Sequence, residues 1–262
     1  MRIAVIFGGQ LRTGVETSKS VFNFLSEYLP NCDFFVHTWD ITSYKKGDYN
    51  GSHLDSFDWN SIKLKDENLN EFLEIYKPLK YQITPFLKFR EEVENSNDYM
   101  MPAWAYSFWK SNELKKEYEK ENDFKYDYVI KLRGDLIFWP NFSLKPIIDY
   151  IKNNNFDKIP MYHLEDMLYL STSEGMDLMS SIGHPTNGAL LEDFRKNFPK
   201  DLNRRIVQYI RDTFEDVPKM NFKDNSGYFL LRSEARNLSY DKMDEMYYIF
   251  EHYYDKPITN LI

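Results

Sequence analysis

The chain of 262 residues has one cysteine, Cys32. A single thiol excludes an internal disulfide framework and suits a reducing compartment. Cys32 precedes the strand-like DFFVHT and reads as packed rather than reactive. No run of about 18 apolar residues occurs, so no membrane span is expected. The opening MRIAVIFGGQ holds an apolar run too short for a secretory leader and lacks a cleavage pattern. A soluble, cytoplasmic protein is the expectation. Positive charge is also short: 33 Lys and Arg stand against 41 Asp and Glu, a net charge of -8. Polyanion binding over a broad surface needs a basic face, so it is not the default; a local basic groove stays open. The dinucleotide G-x-G-x-x-G fingerprint and the P-loop are both missing. So are G-x-S-x-G, H-E-x-x-H, C-x-x-C and the kinase set, which removes most hydrolase, zinc and kinase readings. No repeat, low-complexity linker or boundary is present. One domain over residues 1–262 is the simplest organisation.

Aromatic residues, by contrast, are abundant: 17% of the chain, with 20 Tyr and 20 Phe. Some must be core, and so many also suit a site that stacks flat rings or sugars. RIAVIF, residues 2–7, is short, continuous and β-branched, as a buried parallel strand is. Gly8 and Gly9 break it. A helix is predicted over 14–28 and a second strand over 33–38. Strand, glycine turn, helix, strand is the opening of an α/β nucleotide-binding unit. Residues 40–61 lack apolar periodicity and read as a long surface loop. Helices are predicted over 67–76, 103–121, 144–153, 173–181, 187–197 and 202–215. Strands are predicted over 81–83, 126–132, 159–163, 167–171 and 228–231. The fold class is therefore α/β, a mostly parallel central sheet flanked by helices.

Several stretches carry candidate chemistry. In FGGQLRTG (7–14), glycines after a first strand let backbone N–H groups approach a ligand, and Arg12 could grip a diphosphate at two points. The alternative is a plain strand-to-helix turn. In HTWD (37–40), Trp39 could flank a base and Asp40 hold a ribose, or Trp39 could seal the sheet and Asp40 cap a turn. His37 sits mid-strand and reads as a satisfied structural histidine. On the predicted helix 103–121, Tyr106, Trp109, Lys110 and Glu113 share a sector. Lys110 could sit near phosphates, whereas Lys115, Lys116, Glu117 and Lys120 read as a solvated face.

YDYVIKLRGDLIFW (126–139) is the densest stretch. A carboxylate just past a buried strand needs a cation, a metal or a hydroxyl-rich ligand. Arg133 lies two positions before Asp135 and shares its face while the chain stays extended, so an internal Arg–Asp pair is the plain alternative. Apolar residues on both sides argue against an exposed adhesion tripeptide. In HLEDMLYLS (163–171), His163 with Glu165 or Asp166 offers too few ligands for a metal assignment. Glu192 and Asp193 could hold a general base or simply face solvent. Arg195, Lys196, Lys200, Arg204 and Arg205 could form a basic groove or a solvated helix face.

The order GGQLR, HTWD, YSFWKSNELKKEYE, YDYVIKLRGDLIF and then an Asp before an apolar strand resembles GT-A-like glycosyltransferases of bacterial polysaccharide loci and viruses. The likeness covers about residues 1–195. It implies a single GT-A-like domain with a Rossmann-like sheet. Residues 1–140 would bind a nucleotide-diphosphate sugar, and 141–262 would face the acceptor. It places Gly8, Gly9, Gln10, Arg12, Asp40, Lys110, Arg133 and Asp135 at the donor, and Asp166 and Glu192 at catalysis on the acceptor side. Asp135 matches the last Asp of the family's D-x-D motif, whose metal is Mn²⁺ or Mg²⁺. Arg133 stands at its first acidic position, so Asp135 would ligate with diphosphate and water, or Arg133 would supply the charge instead. The acceptor would be a surface glycan, a lipid-linked sugar or, in a phage protein, a hydroxymethylated DNA base. A non-catalytic nucleotide- or carbohydrate-binding protein and a nucleotidyltransferase are the other two readings.

Overall fold

The computed structural model describes residues 1–11, 13–43, 62–89, 103–138, 142–164, 167–184, 209–218 and 228–230. The strands are β1 (Ile3–Gly8), β2 (Cys32–Trp39), β3 (Ile41–Ser43), β4 (Ile62–Lys63), β5 (Lys80–Thr84), β6 (Tyr128–Leu132), β7 (Leu136–Phe138), β8 (Pro160–Leu164), β9 (Leu168–Ser171), β10 (Glu215–Asp216) and β11 (Tyr228–Leu230). The helices are α1 (Ser18–Leu25), α2 (Asp66–Tyr76), α3 (Ala103–Glu121), α4 (Lys145–Asn153) and α5 (Ser173–Ser180).

Seven strands form the central sheet in the order β10-β8-β9-β6-β1-β2-β5. The pairs β1–β2, β1–β6, β2–β5 and β8–β10 are parallel, and β9 runs antiparallel to both its neighbours. The fold class is thus α/β, a mixed sheet with helices on both faces. Alternation along β1 explains why both faces must be covered. Ile3, Val5 and Phe7 enter one core with Val21, Phe24, Phe72 and Ile148, while Ala4 and Ile6 enter the other with Phe108, Met176 and Met179. A strand buried on both faces is driven by its apolar area, about 1.5–3 kcal/mol for each large side chain.

The chain lays down β1, β2 and β5 in one direction, then returns across β1 to β6. α3 makes that return, packed against β1 and β2. Its buried face is polar: Ser107, Ser111, Asn112, Lys115 and Glu119 all lie below 2% exposure. This corrects the reading of Lys115 as solvated. Its ammonium lies 2.7 Å from Asp177 and 3.2 Å from Glu119, and donates to Ser173 at 2.7 Å. Helical periodicity cannot separate a charged stripe that faces water from one that faces its counter-charges.

Other expectations shift at their ends. α1 begins at Ser18 rather than Gly14, because residues 13–17 form turns in which Gly14 N–H donates to Leu11 and Thr17 N–H to Thr13. α5 starts where Thr172 Oγ1 accepts from Gly175 N–H at 3.2 Å. Glu215, expected at a helix end, pairs in β10 with Pro160, and its N–H donates to Ile159. The expected helix over 187–197 and most of the expected loop over 40–61 lie outside the described residues. No helix among the described residues is long and apolar enough to cross a membrane.

Candidate functional site at the carboxyl ends of three strands

In an open α/β sheet a ligand sits outside the carboxyl ends of the strands, where the strand order reverses. That point here is the gap between β1 and β6. Phe7 is registered with Leu132, so Gly8 to Leu11 leaves the sheet beside Arg133 to Asp135. On the other side of β1, Gly8 is registered with His37, and Asp40 directly follows the last residue of β2, Trp39. The topology therefore gathers Gly8, Gly9, Gln10, Asp40, Arg133 and Asp135 at one edge.

Each segment is held by its backbone neighbours. Gly9 has φ +126°, a conformation few side chains allow, and a Cβ there would meet nothing within 4 Å. Its backbone thus borders open space at the switch point, while its N–H donates to His37 at 3.1 Å. At Gly134 a side chain would start 2.7 Å from the Leu11 carbonyl oxygen, so the two turns abut. Thr17 Oγ1 donates to the Gly134 carbonyl at 2.8 Å, and Ser20 Oγ accepts from Phe138 N–H at 2.6 Å. These two hydroxyls fasten α1 to the segment after β6. Sequence reasoning missed both. Their three-residue spacing on an apolar helix face was the available signal.

Arg133 and Asp135 form a two-point ion pair. Nε donates to Oδ1 at 3.0 Å and Nη2 to Oδ2 at 2.9 Å. The Asp135 side chain is 1% exposed and that of Arg133 is 18% exposed. The carboxylate is the more buried of the two, and the Arg133 side chain keeps some contact with solvent.

At the end of β2 the structure favours the plainer readings. Trp39 is buried against Phe86, Phe89 and Tyr106. Asp40 Oδ1 accepts from Phe86 N–H at 2.8 Å, closing the turn after β5. His37 is satisfied at both ring nitrogens, by Ser107 at 2.6 Å and Thr84 at 2.8 Å. Burial, reinforced by the Lys110 ammonium, pushes its pKa down to about 3. His37 is therefore neutral at ordinary pH. Lys110 lies 4.7 Å from the Trp109 ring centre and 5.7 Å from that of Tyr106, on the aromatic group beside β2.

A shallow open cleft of about 40 Å³ borders the same turn, lined by Leu11, Gly14, Glu16, Asn68, Glu71 and Phe72. Two carboxylates and an amide rim it, and its volume has room for a few waters rather than for a sugar. Arg12, Asp166, Glu192 and the basic cluster 195–205 lie outside the described residues.

The resemblance implies Mn²⁺ or Mg²⁺ at this edge. Such ions take several oxygen ligands. Among the described residues no group of three His, Cys, Asp or Glu side chains converges. Both oxygens of Asp135 face a guanidinium that an ion would have to displace. The Arg133–Asp135 pair as it stands does not fit the metal.

No protein-family model matches the chain. No curated protein matches it in sequence. Among solved structures it is similar to mouse xyloside xylosyltransferase 1, at 8% identity over 82% of this chain and 84% of that one, with a TM-score of 0.43. It is also similar to a glycosyltransferase involved in glycosylation of the major capsid of PBCV-1, at 10% identity over 84% and 85%, TM-score 0.36. A third is the galactosyltransferase LgtC with donor and acceptor sugar analogues, at 9% identity over 79% and 69%, TM-score 0.39. The structural neighbours are glycosyltransferases. At these identities and TM-scores, no substrate or residue role passes from them to this chain.

Proposed function

We propose that this protein is a glycosyltransferase that moves a sugar from a nucleotide-diphosphate donor to an acceptor hydroxyl. One observation carries the reading: the Gly8–Leu11 turn and the Arg133–Asp135 pair meet at the switch point between β1 and β6. A glycine turn lets a ligand come close to the backbone, and a guanidinium fork recognises phosphate in a plane.

The chemistry follows from charge. The bond from the anomeric carbon to the diphosphate breaks, and its electron pair leaves with the nucleoside diphosphate. A bond from the acceptor oxygen to that carbon forms, and the acceptor proton goes to a base or to water. Cationic groups near the diphosphate stabilise the developing negative charge. Arg133 is placed for that role, and Arg12 and Lys110 are further candidates. Asp166 and Glu192 are candidates for the base from sequence alone. The acceptor in this reading is a glycan, with a modified nucleobase as the variant for a phage protein.

A thermal-shift screen of nucleotide sugars against the purified chain tests it. A ligand that binds only the native state raises the melting temperature by mass action. The expected result is stabilisation by one nucleotide sugar, followed by its turnover with an acceptor. Binding without turnover would assign a binding protein, and pyrophosphate release would assign a nucleotidyltransferase.

A further inference from the structure

A carboxylate that serves a metal must face the ligand. Asp135 does not: it is 1% exposed, and the more exposed Arg133 holds both its oxygens. A ligand entering from solvent meets the cation first. We propose that Arg133 is the group this site presents to the donor's diphosphate, with Asp135 as its positioning residue, so that departure of the diphosphate is stabilised without a divalent ion. The proposal rests on the nucleotide-sugar reading above.

Three features support the assignment. The two-point bond fixes the plane of the guanidinium, and planar presentation is what phosphate recognition by Arg requires. The turn carrying the pair is clamped, by the Leu11 carbonyl packed against Gly134 and by the Thr17 hydroxyl on the Gly134 carbonyl. A preorganised cation loses little freedom when charge develops opposite it. Third, each oxygen of Asp135 already accepts from the guanidinium. Bringing an ion to Asp135 would break both charge-assisted bonds and set a cation beside a guanidinium, whereas a diphosphate adds its negative charge on the guanidinium's side of the pair.

The roles usually expected of an acidic motif are thereby exchanged. The carboxylate orients and the cation binds. In the transfer step the electron pair of the breaking sugar–phosphate bond passes to the diphosphate, whose growing charge Arg133 faces. No oxidant, reductant or metal is needed for that balance.

The test measures dissociation constants of nucleoside diphosphates, and of the matching nucleosides, in EDTA and in Mn²⁺. It uses the wild type, Arg133→Lys, Asp135→Asn and the double variant Arg133→Met with Asp135→Asn. The double variant removes both charges together, and melting curves verify its fold. The expected result is equal diphosphate binding in EDTA and Mn²⁺. The double variant should weaken it about 10- to 100-fold, the worth of a hydrogen bond to a charged group. Arg133→Lys should be intermediate, because it keeps the charge and loses the plane. Asp135→Asn should lower the ratio of diphosphate to nucleoside affinity, which a merely structural carboxylate would leave unchanged. Diphosphate binding that requires Mn²⁺, or that survives the double variant, would overturn the role of Arg133 and leave the nucleotide-sugar reading standing. Absence of any nucleotide-dependent stabilisation, with or without metal, would overturn both.

Discussion

His37 makes stability acid-sensitive in a way that can be calculated. Its ring is fully buried, hydrogen-bonded to Ser107 and Thr84, and faces the Lys110 ammonium. Burial and that charge push its pKa from 6.5 down to about 3. Between those values the unfolded chain binds a proton that the folded chain refuses. Stability therefore rises with pH across the window and falls as pH drops below 6.5. At about pH 5 the unfolded state gains about 2 kcal/mol from this proton, since each pH unit is worth about 1.4 kcal/mol. For a chain of this size that is a fall in Tm of about 4–8 °C. Other groups titrate too, so the clean measurement is a difference. Urea unfolding of wild type and His37→Gln is compared at about pH 7.5 and about pH 5. Gln keeps a polar atom toward Thr84, and its own cost cancels in the comparison. The gap between the two proteins should narrow by about 2 kcal/mol on acidification. A gap unchanged within about 0.5 kcal/mol would refute the argument, because His37 would then titrate alike in both states.

Three further outcomes follow from the packing. Lys115→Met leaves Glu119 with Lys125 at 2.9 Å and Asp177 with Asn112 at 2.8 Å and Lys125 at 3.7 Å; a loss of about 1–3 kcal/mol in urea unfolding is expected. Gly8→Ala places a Cβ 2.9 Å from the backbone of Ser107 and Phe108, and the overpacking should cost about 1–3 kcal/mol by the same assay. Burial pushes the Cys32 thiol up to about 12, so a thiol reagent at about pH 8 should label the native protein far more slowly than the urea-unfolded chain.

Local chemistry alone determined much of this protein. The residues of β1 and the predicted helix 103–121 declare themselves, because apolar runs, glycine breaks and helical spacing act over a few residues. The same logic brought Arg133 and Asp135 onto one face, since alternation in extended chain repeats every two positions. Tertiary structure decided everything that depends on what lies opposite. It reversed β9, a choice made by pairing with β6 and β8 rather than by composition. It buried Lys115 among counter-charges, closed Trp39 into an aromatic cluster and gave Asp40 an N–H to hold. It also set the depth order of the charged pair. Spacing makes Arg133 and Asp135 neighbours, but only the packing around them leaves one side chain 1% and the other 18% exposed, because exposure is a property of the surrounding fold and not of the residue.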